Sequence, residues 1–155
     1  MTGVQTCALP ISSAAGTPDC TFTNTALPDA FQPNGFLAPL WDDLFPVPTG
    51  TTHIRSLSSG VTPNRTFTIE WFDAAFLTAG AGPERLRFQA KLFETSGVIE
   101  FHYCSLQLNG GSNDTLTGGG ATIGLENTLG TDAMQHSSDT PNSITSGSGL
   151  RFVPQ

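Results

Sequence analysis

Residues 86–104 read LRFQAKLFETSGVIEFHYC, and this stretch decides the fold. Leu86, Phe88, Ala90 and Leu92 alternate with Arg85, Arg87, Gln89, Lys91 and Phe93, the period-two pattern of a strand with one buried face. A second alternating run follows, with Ile99, Phe101 and Tyr103 set against Val98, Glu100, His102 and Cys104. Between them, Glu94-Thr95-Ser96-Gly97 is a turn containing a glycine. Two such runs around such a turn predict a β-hairpin.

Working outward, Arg65 to Phe72 alternates in the same way, with Phe67, Ile69 and Trp71 on one face and Thr66, Thr68, Glu70 and Phe72 on the other. His53 to Leu57 is a shorter alternating run. Gly35-Phe36-Leu37-Ala38-Pro39-Leu40-Trp41 is apolar throughout and ends at Asp42-Asp43 and a turn holding Pro46 and Pro48. Pro39 has no N–H to give, so this strand belongs at a sheet edge or carries an irregularity. On the C-terminal side, Ala121, Ile123 and Leu125 mark one strand, and Leu150 with Phe152 mark the last. The polar stretches 109–120 and 127–149 read as loops. Seven short strands without a helical spacer predict an all-β fold, an antiparallel β-sandwich or jelly roll.

Composition supports one such domain. The chain has 155 residues, 37% of them hydrophobic, with eleven Phe and seventeen Gly, a bias toward strands and turns. Six Lys and Arg face thirteen Asp and Glu, and no basic cluster occurs, which argues against nucleic acid as a partner. No run of about 20 apolar residues is present to form a spanning helix. Residues 1–11, MTGVQTCALPI, read as a translated sequencing adapter or a disordered tail. Residues 12–34 read as an irregular lead-in, and 35–155 as the sandwich domain.

The ordered segments APLWDDL at 38–44, NRTFTIEW at 64–71, LRFQAKLFE at 86–94, GVIEFHY at 97–103, ATIGLEN at 121–127 and LRFVP at 150–154 together resemble the nidogen-like extracellular β-sandwich modules of bacterial secreted and surface proteins, as in myxobacteria. The resemblance implies secretion or surface display, a place among other domains of a larger protein, and no catalysis. It also implies that strands and an export signal belonging ahead of Asn34-Gly35-Phe36 are missing here, which would leave a sheet edge or an apolar patch exposed. Export to an oxidising compartment, together with setting Cys7 aside as adapter-derived, leaves Cys20 and Cys104 to form a disulfide.

The candidate chemistry is sparse. Trp41, Asp42, Asp43 and Glu70 are the candidate binding residues, with Phe72 as a further aromatic surface. In a rival reading they serve a glycan-binding or glycan-cleaving jelly roll, where cleavage requires two carboxyls about 5–10 Å apart. The plainer reading is that one aspartate caps the turn through backbone amides. No cofactor is expected. Calcium would draw on Asp42, Asp43, Asn113 and Asp114, but no known loop spacing links them. His53, His102 and His136 lie in separate segments with no zinc-like spacing. No serine lies in a nucleophile elbow, so an enzyme is not expected. A surface glycan or a protein is the expected ligand class.

Overall fold

The computed structural model describes residues 23–31, 34–46, 51–77, 84–109 and 113–154. The described residues contain nine strands: β1 (Phe36–Trp41), β2 (Leu44–Pro46), β3 (His53–Ser59), β4 (Thr66–Phe76), β5 (Arg85–Phe93), β6 (Ile99–Gln107), β7 (Thr122–Glu126), β8 (Ala133–Ser138) and β9 (Gly149–Phe152). They form two antiparallel sheets. The small one has the order β1-β7-β8, and the large one β2-β4-β5-β6-β9, with β3 also paired to β4. This is the predicted all-β sandwich.

The hairpin at 86–104 forms as its alternation requires. Leu86, Phe88, Ala90, Phe101 and Tyr103 are all buried, and Gly97 makes the turn with φ 62°, donating its N–H to Phe93 O at 3.0 Å. The apolar faces of the two sheets meet in one cluster that includes Leu40, Trp71, Phe88, Phe101, Tyr103 and Ile123, with Trp71 stacked on Phe88 at 4.8 Å. Tyr103 reaches across the sandwich and donates its hydroxyl to Pro39 O at 2.8 Å. Pro39 lies where the β1–β7 register shifts, on an edge strand, as the missing N–H predicts.

Residues 23–31 and 34, the described part of the irregular lead-in, lie against the small sheet. Within the described part, Leu27 is buried with Phe36, Ala38 and Trp41 in a second cluster, and Leu27 N–H donates to Gln135 Oε1 while Thr122 Oγ1 donates to Thr25 O. This strap covers the outer face of the small sheet, so β1 is apolar on both sides and does not alternate.

Three elements differ from expectation. β2 is a three-residue strand just after Asp42-Asp43, too short to show a period. β8 lies within 127–149, where the sequence AMQHSS is too polar to signal a strand; it pairs only with β7 at the sheet edge, so it needs little apolar surface. The loop 109–120 contains a helical turn at Thr115–Gly119, held by Thr117 Oγ1 donating to Asn113 O at 2.7 Å. Every residue of β3 is exposed. With Leu57 at 66% and Phe67 at 39% exposure, it leaves apolar side chains open to solvent beside a cavity of about 360 Å³ lined by Phe67, Leu92, Val98 and Ile99.

Candidate functional site

The outer face of the large sheet is where charge collects. All six Lys and Arg lie in its strands or at their ends: Arg55, Arg65, Arg85, Arg87, Lys91 and Arg151. The segments that build the small sheet carry Asp29, Asp42, Asp43, Asp114, Glu126, Asp132 and Asp139 and no Lys or Arg. Alternation produces this. The residues that intervene between Leu86, Phe88 and Ala90 are Arg85, Arg87 and Gln89, and the register sets them beside Glu70 of β4.

Glu70 is the hub of this face. Its Oε1 accepts from Arg87 Nε at 2.9 Å and Gln89 Nε2 at 2.8 Å, and its Oε2 from Arg55 Nε and Nη2, both at 2.6 Å. Burial alone would raise the Glu70 carboxyl, which is only 7% exposed. Donors from Gln89, Arg55 and Arg87 outweigh it and hold the pKa at about 2. Glu70 is therefore a fixed anion, unsuited to giving up a proton as a general acid near neutrality.

Next to this hub, Phe72 stacks on His53 at 4.8 Å, with the guanidinium carbons of Arg87 and Arg55 at 5.3 and 5.5 Å from its ring. Two β-bulges flank Arg87. On β4, Phe72 and Asp73 stand opposite the single residue Arg87, with Asp73 at φ 56°; on β6, Cys104 is the extra residue between the partners of Arg87 and Phe88. Bulges bend a sheet and re-aim side chains. Here they enclose a concave site of about 240 Å³ lined by Phe72, Asp73, Arg85, Leu86, Arg87, Ser105 and Gln107.

The sequence-derived candidates are not brought together. Trp41 is 2% exposed and packs edge-on against Phe36 at 5.2 Å, which leaves no ring face for a ligand. Asp43 O accepts from Leu77 N–H, and Leu77 lies seven residues beyond Glu70, about 20 Å of extended strand away. That is beyond the span of a glycosidase carboxyl pair. Asp42 Oδ1 accepts from Asp43 N–H at 2.7 Å, the turn-capping role, while its Oδ2 is closed off without a hydrogen bond, facing Gly120. Burial, with the charges of Asp43 and Asp139 adding to it, raises the Asp42 pKa to about 6. Asn113 and Asp114 enter the helical turn through backbone carbonyls bonded to Thr117. Among the described residues no three His, Cys, Asp or Glu side chains converge as a metal site. Cys20 lies outside the described residues; Cys104 is exposed at the β6 bulge.

The family model for NIDO-related domains matches residues 11–152. This chain belongs to the NIDO-related family. The resemblance to nidogen-like modules holds, and the match takes in the strap as well as both sheets. No curated protein and no solved structure matches the NIDO-related chain. The family is of an extracellular module type, and no helix among the described residues is long and apolar enough to cross a membrane.

Sequence reasoning on this NIDO-related domain passed over Arg55, Arg85 and Arg87. Their signal was present, since alternation put Arg85, Arg87 and Gln89 on one face and Glu70 and Phe72 on one face of β4. Joining the two faces needs the register across both bulges, and no residue type announces those bulges.

Proposed function

We propose that this domain is a non-catalytic binding module of a larger secreted or surface protein, and that it engages its ligand through the outer face of the large sheet around Arg87 and Phe72. The observation that carries this reading is the concave site between two bulges, which gathers arginines and an aromatic ring in a chain of net charge -7. Ion pairing that served solubility alone would not need such a hollow. Small-molecule sites are concave, with an apolar wall and a few placed polar groups. The rival reading, glycan cleavage by Asp42, Asp43 and Glu70, is weakened by their separation and by the burial of Trp41. The other domains of the parent protein would supply any catalysis and set where the module is held.

A glycan array probed with the wild type and with Arg87→Ala, both verified as folded by circular dichroism, tests this. Signals present in the wild type should vanish in Arg87→Ala, and no bound glycan should yield new reducing ends. Signals indifferent to Arg87→Ala but abolished by Leu57→Asp would place the binding face at the β3 edge instead. Release of reducing ends that stops in Glu70→Gln would make the domain an enzyme.

A further inference from the structure

Resting on that reading of the outer face, we infer that the site between the bulges takes a carboxylated sugar, with the sugar's carboxylate held by Arg87 and its ring set against Phe72. Glu70 takes Arg87 through Nε alone, so both terminal Nη groups of Arg87 are left, and its side chain is 45% exposed at the wall of the hollow. The two Nη groups form the end of the guanidinium fork, which meets a carboxylate with two parallel hydrogen bonds. Arg55 gives its Nε and Nη2 side to Glu70 and is not among the residues lining the hollow. Glu70 thus acts as a positioning residue that holds the Arg87 side chain by one edge and turns the other outward.

Charge balance supports an anion. Arg85 and Arg87 line the hollow, and Asp73 is the one carboxylate among its lining residues, on a molecule of net charge -7. Size and lining then narrow the class. About 240 Å³ is below the usual range for drug-sized ligands and suits a single ring. Phe72, whose ring carries stacked His53 and the guanidiniums of Arg55 and Arg87, meets the hollow with its apolar ring edge, while Ser105 and Gln107 supply hydroxyl and amide groups at the rim for ring hydroxyls. An acidic peptide would satisfy Arg87 but brings no set of ring hydroxyls for Ser105 and Gln107.

The test uses titration calorimetry of the whole chain with polygalacturonate, alginate, hyaluronan and sialyllactose, and with fully methyl-esterified polygalacturonate and poly-glutamate as comparators. At least one uronate or sialoside should bind, with affinity falling as salt rises. Arg87→Lys, which keeps the charge and loses the fork, should weaken it about tenfold, as loss of one charge-assisted contact does. Phe72→Ala should weaken it similarly, and Arg151→Ala, on a distant strand, should leave it unchanged. Binding of the methyl ester as tight as that of the free acid would overturn carboxylate recognition. If that binding still disappeared in Arg87→Ala, the outer face would stand as the binding face for a neutral sugar. Equal binding of poly-glutamate would overturn the sugar. No binding by any carboxylated glycan would overturn the inference outright, and a carboxylated glycan that bound the wild type and Arg87→Ala alike would overturn the face as well.

Discussion

Glu70 and Asp42 carry the same functional group on opposite sheets of one sandwich, and both are largely withdrawn from water. Glu70 is held at a pKa of about 2 and Asp42 is raised to about 6. Burial pushes both upward. What separates them is the neighbourhood: two arginines and a glutamine reach Glu70, whereas the charged groups that act on Asp42 are Asp43 and Asp139. Burial sets the cost of a charge and the available counter-charge decides whether that cost is met. The chain places its cations among residues 55–91 and 151, in or at the ends of large-sheet strands, so arginine counter-charge reaches Glu70 and not Asp42.

The largest expected effect lies on the small sheet. A folded-state pKa of about 6 against 3.8 unfolded means the native state binds the Asp42 proton more tightly. Stability therefore falls as pH rises from about 4 to 6, and above that the ionised Asp42 costs about 2–3 kcal/mol. Asp42→Asn should raise the urea unfolding free energy at pH 7 by about that amount and flatten this limb. A loss of stability instead would break the comparison by showing that ionised Asp42 is well solvated or paired.

The effect at Glu70 should be smaller and opposite in sign. Its lowered pKa contributes stability that is present above about 4.5, the unfolded value, and is lost as pH falls toward 2. Because Arg55 and Arg87 are about half exposed, water replaces much of what they give. Glu70→Gln should cost about 1–2 kcal/mol at pH 7 and remove its share of the acid limb in the same urea titrations. Glu94, whose pair with Arg65 lies at 2.5 Å on the surface, is the control: Glu94→Ala should leave the midpoint at pH 7 unchanged within error. If Glu94→Ala and Glu70→Gln behaved alike, burial would not be what distinguishes Glu70.

The fold was legible where one face of a strand is buried and the other wet. The run from Leu86 to Leu92 could be assigned to faces from period two alone, whereas on β4 Ile69 and Trp71 follow the pattern but Phe67 is exposed and Glu70 buried. β8 was not legible, because an edge strand with one partner can be built from Ser, His and Gln. β1 showed as apolar but not as two-sided, since the strap that covers its second face has no pattern of its own. At the site, alternation singled out Glu70 and Phe72, while their arginine neighbours come from β3 and β5. Trp41-Asp42-Asp43 runs from β1 to β2, which belong to different sheets, so the two aspartates sit at the crossing while Glu70 and Phe72 lie on β4.

That crossing bears on the order in which the chain assembles. The strands from β3 to β6 pair with near neighbours along residues 53–107, so their partners arrive one after another. The small sheet must instead join Phe36 to Glu126, and the large one gains β9 only when Phe152 pairs with Ile99. Long-range closure is slow because chain entropy is lost before contacts repay it. The large-sheet meander is therefore the expected nucleus, with β1 waiting, already made, for a partner more than eighty residues downstream. Pulsed hydrogen exchange during refolding should show amides of β4 to β6 protected before those of β1 and β7, and simultaneous protection would exclude that order.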